Sequence, residues 1–122
     1  MARARLEDSV VLLKAERFEG AVYLCGYALE MALKARICKT LSWQGFPSTP
    51  SEFNKYRSFK VHDLDVLLHL SGVEQMIKGK YNKQWSEVAS WTPESRYAPS
   101  GNVSGEDAQR MIRSTRNLLE VL

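Results

Sequence analysis

The segment from Gly20 to Lys39, GAVYLCGYALEMALKARICK, constrains the fold of this chain more than any other segment. No charged residue occurs between Ala21 and Leu29, and the apolar stretch is shorter than the roughly 20 residues that a membrane-spanning helix needs. The segment therefore predicts a helix that is buried in a protein core.

This predicted core helix carries two packing stripes. Small residues recur at alternating steps of four and three: Ala21, Cys25, Ala28, Ala32 and Ala35. Bulkier residues form a second stripe beside it: Val22, Leu29, Leu33 and Ile37. Two packing faces place a helix at the centre of a bundle. Small side chains let a neighbouring helix come close, and that neighbour is either a second copy of the chain or the chain's own first or last helix.

Apolar periodicity predicts further helices and no strand. A first helix is expected from about Ala4 to Glu16. The segment DLDVLLHLSG predicts a short third helix that ends at Gly72. A fourth helix follows, with a break expected near Gly79, and the final helix begins at a candidate capping box formed by Ser104 and Asp107.

Length and composition agree with a globular helical domain. The chain has 122 residues, of which 44% are apolar and 25% are charged. We therefore predict one all-α domain over residues 1–122, an antiparallel up-and-down bundle of four to five helices. The net charge of +3 permits nucleic-acid binding without requiring it.

Cys25 and Cys38 indicate the cellular compartment. They lie 13 residues apart on one predicted helix, which is about 20 Å along the helix axis and beyond the reach of a disulfide. We expect two reduced, buried thiols and no structural zinc site. The N-terminal segment MARARLEDSVV lacks the apolar region of a secretory signal, so a cytoplasmic protein without a membrane span, metal or cofactor is expected.

Arg57 and His62 form the sharpest candidate for chemistry. An arginine can hold a phosphodiester through two hydrogen bonds, and a histidine with a pKa near neutrality can move protons. The pair is sufficient for metal-independent RNA cleavage. The alternative, which we favour, is that Arg57 is a solvated loop residue and that His62 precedes Asp63, the cap of the third helix. The sequence leaves the role of the irregular segment 44–61 open.

Other charged residues have a structural and a functional interpretation. Glu30 follows nine uncharged positions, and we expect it to pair with Lys34 or Arg96 rather than to bind a ligand. Three arginines of the last helix recur at intervals of three: Arg110, Arg113 and Arg116. They are interpreted as the solvated face of an amphipathic helix, with a phosphate-binding surface as the alternative.

Three segments occur in an order that points to a known family. The core segment contains the pattern A-x-E-x-x-x-K at Ala28, Glu30 and Lys34. The segment HDLDVLL spans 62–68, and Arg96 and Tyr97 are followed by Pro99 in an RYP-like turn whose proline lies one position late. Together these segments resemble the HEPN domain (higher eukaryotes and prokaryotes nucleotide-binding), and the resemblance covers essentially the whole chain.

The resemblance implies a HEPN-like antiparallel bundle that forms a homodimer. Such proteins are often encoded beside a minimal nucleotidyltransferase as a toxin–antitoxin or defence-type pair. Many are ribonucleases with an Arg-x4-6-His motif at the dimer interface. In that branch Asn, Asp or His usually follows an arginine on a helix, whereas Ser58 follows Arg57 beside a loop here, and His62 resembles the histidine of the non-nucleolytic branch.

The expected function is therefore a binding module with a nucleotidyltransferase partner and with nucleotide or RNA phosphate as a further ligand. The candidate binding residues are Asp63, Arg96, Tyr97, Glu30 and Lys34. The alternative is a metal-independent ribonuclease toxin with Arg57 and His62 as its catalytic residues. Whether the protein is an enzyme, which partner it has and which nucleotide or RNA it prefers stay open.

Overall fold

The computed structural model describes residues 1–41, 63–91 and 103–122. All regular structure in these ranges is helical, which confirms the all-α prediction. Six helices lie in the described part of the chain: α1 (Ala2–Lys14), α2 (Phe18–Leu41), α3 (Leu64–Ser71), α4 (Glu74–Lys80), α5 (Asn82–Val88) and α6 (Gly105–Val121).

The predicted fourth helix is divided into α4 and α5, which raises the number of helices above the four to five expected. The break lies at Tyr81, whose φ of −124° and ψ of 29° are outside the helical region. Gly79, where the break was expected, stays within α4. The bend still brings both helices to the core, because Ile77 is fully buried and Trp85 is 4% exposed.

α2 lies at the centre of the fold and packs against α1, α3 and α6. Its bulky stripe contributes Leu29, Leu33 and Ile37, all fully buried, to the core. α3 contributes its inward face with Leu64, Leu67 and Leu68, as predicted. α6 also contacts α1 and α5, so the last helix links α5 to the pair formed by α1 and α2.

The small stripe of α2 is divided between the core and the surface. Ala21, Cys25 and Ala28 are fully buried, whereas Ala32 is half-buried and Ala35 is exposed. The Cys25 thiol donates a hydrogen bond to Thr115 Oγ1 of α6 at 3.1 Å. The chain's own helices therefore fill the first half of the stripe, which was one of the two outcomes left open by the sequence.

The two cysteines differ in environment. Both are free thiols, but Cys38 is only half-buried, so the expectation that both are buried is wrong for Cys38. Burial raises the pKa of the Cys25 thiol to about 12, and the hydrogen bond to Thr115 opposes that rise. Cys25 is therefore a neutral core residue at physiological pH.

Polar groups fix the ends and junctions of the helices. Gly72 ends α3 with a left-handed φ of 82°, as the sequence predicts. Ser104 Oγ accepts a hydrogen bond from the Asp107 amide at 3.1 Å, which is one half of the predicted capping box. Trp85 Nε1 donates to Asp65 Oδ1 at 2.9 Å and so links α5 to α3.

Trp91 packs directly on the backbone of α2. A Cβ added at Gly26 would overlap the indole carbons Cδ2 and Cε2 of Trp91. Trp91 is 4% exposed, and the centroid of its ring lies 6.3 Å from the centroid of the Tyr23 ring. Glycine at position 26 is therefore what allows the indole to seal this side of the core.

We expect Gly26→Ala to destabilise the protein although alanine favours a helix. The methyl group would displace Trp91, and overpacking of a core typically costs about 1–3 kcal/mol. Gly79→Ala is the matched control, because a Cβ there meets no atom within 4 Å and alanine should stabilise the helix by roughly 0.5–1 kcal/mol. Urea denaturation of the parent and both variants measures the two changes. Equal stability of the two variants would contradict the packing of Trp91 on Gly26.

Candidate functional site

Four of the residues that the sequence singled out lie outside the described residues: Arg57, His62, Arg96 and Tyr97. The segment 44–61 lies there as well. The three remaining candidates are Asp63, Glu30 and Lys34, and each of them makes a specific interaction within the fold.

Asp63 caps α3. Its Oδ1 accepts hydrogen bonds from the amide of Asp65 at 2.9 Å and from that of Val66 at 3.3 Å. Its extended backbone, with φ of −73° and ψ of 117°, is the conformation of an N-cap residue. The predicted cap is confirmed, and the carboxylate is engaged at the start of the helix.

Glu30 and Lys34 form an ion pair on consecutive turns of α2. Glu30 Oε2 lies 3.7 Å from Lys34 Nζ, and the glutamate side chain is 2% exposed against 22% for the lysine. A buried carboxylate loses its hydration, so a cation beside it is needed to keep the charge in the core. The structure confirms Lys34 as a partner of Glu30.

His69 and Glu74 join the end of α3 to the start of α4. His69 Nδ1 and Glu74 Oε1 lie 3.1 Å apart, and Lys78 Nζ lies 3.3 Å from the other carboxylate oxygen. The hydrogen bond from His69, followed by that from Lys78, holds the pKa of the Glu74 carboxyl below its usual range. These exposed contacts position α4 and offer no enclosed site.

A polar cleft of about 180 Å³ opens between α5 and α6. We call it the α5–α6 cleft. Cations from both helices line it together with amide, hydroxyl and carboxylate groups: Lys83, Gln84, Glu87, Arg110, Arg113, Ser114 and Asn117. Positive charge from two separate helices thus converges on one concave surface.

The groups of the α5–α6 cleft differ in how far they are already paired. The Ser114 hydroxyl donates a hydrogen bond to Glu87 Oε2. Arg110 Nη1 lies 3.3 Å from Asp107 Oδ1. Within the described ranges, Lys83 and Arg113 have no ion-pair partner, so their charges remain available to a ligand.

A larger cavity of about 370 Å³ adjoins this cleft, because Glu87 and Arg110 line both. The remaining lining of this cavity is mostly apolar and includes Val22, Val88 and Met111. An apolar cavity therefore continues into a cationic cleft.

The sequence pointed to only part of this arrangement. Arg110 and Arg113 belong to the arginine series of α6, whereas Arg116 is absent from the described lining of the cleft. Lys83 was not singled out. Ser114 could have been found, because it occupies a position on the apolar face of α6, between Met111 and Leu118, and is 3% exposed.

Residues 1–41, 63–91 and 103–122 contain no group of three or more His, Cys, Asp or Glu side chains that could hold a metal ion. None of the helices described in these ranges combines the length and apolar character needed to cross a bilayer.

Comparison of the chain with protein-family models, with curated proteins and with solved structures finds no match. The resemblance to the HEPN domain therefore stays a prediction that rests on the sequence motifs.

Proposed function

We propose that this chain is a cytoplasmic, HEPN-like binding module that holds a phosphate group of a nucleotide or RNA in the α5–α6 cleft. The proposal includes the HEPN-like antiparallel arrangement of the helices. It also includes a minimal nucleotidyltransferase as protein partner in a toxin–antitoxin or defence-type system. The motifs at Ala28, Glu30 and Lys34 and at 62–68 support the family and the partner.

The convergence of three cations on the α5–α6 cleft carries the phosphate part of the proposal. Arg110 and Arg113 offer planar groups that match pairs of phosphate oxygens, and Lys83 adds a point charge from the facing helix. Glu87 is the one carboxylate of the described lining, and it accepts a hydrogen bond from Ser114. The excess of positive charge suits a ligand with one or two negative charges.

The adjoining apolar cavity supports a nucleotide over inorganic phosphate. A nucleotide needs an apolar surface for its base beside a cationic site for its phosphate. The cavity lined by Val22, Val88 and Met111 meets the cleft at Glu87 and Arg110. This continuity accommodates both parts of the ligand.

We expect charge removal in the cleft to weaken binding of a labelled single-stranded RNA of twelve nucleotides. For Lys83→Gln and Arg113→Gln, the slope of log affinity against log salt concentration should fall by about 0.7 for each cation removed. Arg116→Gln is the matched control, because Arg116 is an exposed arginine of the same helix that is absent from the described lining of the cleft. Fluorescence anisotropy measures RNA binding, and competition by ATP tests whether a free nucleotide occupies the same cleft.

Two results would contradict this proposal. The first is an equal loss of RNA affinity in Arg116→Gln and in the two cleft variants. The second is RNA cleavage by the parent in EDTA that both Arg57→Ala and His62→Ala abolish. That second result would replace the binding module with the alternative, a metal-independent ribonuclease that uses an Arg-x4-His site.

The proposed assembly is a homodimer, as the resemblance implies. The buried half of the small stripe is filled by the chain itself, so this part of the proposal rests on the family motifs. Sedimentation velocity at micromolar concentration should give about twice the chain mass of 13.9 kDa. A single species at the chain mass across that range would contradict the dimer.

A further inference from the structure

A second groove lies where α1, α2 and α6 meet. It encloses about 490 Å³ and shares no described lining residue with the α5–α6 cleft. Its floor is apolar: Met31, Ala32, Ala35, Leu119 and Leu122. We call it the α1–α2–α6 groove. The second half of the small stripe of α2 therefore faces this groove instead of the core.

Cations border the apolar floor. Arg3 comes from α1, and Arg36 and Lys39 come from the last turns of α2. None of the described side chains that line the groove is acidic. The groove thus combines an apolar floor with a border of uniform charge.

Arg36 is only partly satisfied by the chain itself. Its Nη1 donates to the Leu122 carbonyl oxygen at 3.4 Å, which is near the limit for a hydrogen bond. Its Nε is buried and has no hydrogen-bond partner among the described residues. The Arg36 guanidinium therefore keeps hydrogen-bonding capacity that the described groups of the chain do not satisfy.

We propose that the α1–α2–α6 groove docks an acidic amphipathic helix of a partner protein. The apolar face of that helix packs on the floor, where Ala32 and Ala35 permit a close approach of its backbone. Its carboxylates pair with Arg3, Arg36 and Lys39. The inference rests on the part of the proposed function that gives the chain a protein partner, and it adds the place and the chemistry of the contact.

Charge argues against a second copy of the chain as the occupant. In a twofold interface the same patch meets itself, so the cations of one groove would face those of the other. Like charges brought together in this way are unfavourable. The apolar floor in turn argues against RNA, whose backbone has no apolar surface to bury there.

The test uses a synthetic 18-residue helical peptide with leucine at positions i, i+3, i+4 and i+7, four glutamates spaced along the opposite edges and alanine elsewhere. A control peptide keeps the leucines and replaces every glutamate with lysine. We expect the parent protein to bind the acidic peptide at least about tenfold more tightly than the basic one. Fluorescence anisotropy at physiological ionic strength measures both affinities.

Variants of exposed residues locate the contact. Arg3→Glu and Lys39→Glu should each weaken the acidic peptide about tenfold, whereas Lys14→Glu and Lys80→Glu, which make the same charge change outside this groove, should not. Ala35→Trp fills the floor without changing charge and should weaken the peptide as well. Far-UV circular dichroism confirms that each variant is folded.

Three results would overturn the inference. Equal affinity for the acidic and the basic peptide would show that the charge of the peptide does not determine binding. Loss of peptide binding in Lys14→Glu and Lys80→Glu as well as in the groove variants would show that the peptide does not bind specifically in the α1–α2–α6 groove. Loss of self-association or of RNA binding in Arg3→Glu and Lys39→Glu, with the acidic peptide unaffected, would assign the groove to a second copy or to RNA. Failure of phosphate binding is measured separately, with Lys83→Gln and Arg113→Gln, and leaves the peptide result standing.

Discussion

Burial of α2 against α1, α3 and α6 is the constraint on which the rest of the structure depends. The 24-residue helix spans about 36 Å, and Leu29, Leu33 and Ile37 are removed from water along it. The residues Glu30, Cys25 and Gly26 in the buried part of this helix each have a specific partner. Glu30 has Lys34, the Cys25 thiol has Thr115, and Gly26 leaves space for Trp91.

The same constraint limits where concave surfaces form among the described residues. Because α2 is occupied by the chain's own helices over most of its length, the concave surfaces lie at its margins. The α5–α6 cleft forms where α5 meets the last helix, and the α1–α2–α6 groove forms where the small residues of α2 become accessible to solvent at Ala32 and Ala35. The two surfaces differ in chemistry, since one is polar and the other is apolar with a basic border. They suit different classes of ligand.

The parts of the fold that the sequence predicted are those that depend on local patterns. The burial of α2, the cap at Asp63 and the end of α3 at Gly72 follow from spacing and residue type alone. The break in the fourth helix was expected near Gly79 and lies two residues later, at Tyr81, because Gly79 is accommodated within α4 and Tyr81 continues the apolar series from Ile77 to Trp85.

For the candidate sites, too, the sequence predicted the contacts within one helix and not the contacts between helices. The Glu30 and Lys34 pair was predictable because its members lie four residues apart on one helix. The meeting of Lys83 with Arg110 and Arg113 depends on how α5 packs against α6, which no local spacing encodes. Arg57 and His62 stay a prediction, since they lie outside the described residues.

Native-state hydrogen exchange tests the central role of α2 most directly. If the packing of α2 holds the fold together, amides between Cys25 and Ile37 should exchange only through global unfolding, with the free energy obtained from denaturant titration. Amides of α4 and α5 should open at lower free energy. Exchange of the α2 amides through local opening, at a free energy below that of α6, would contradict the account.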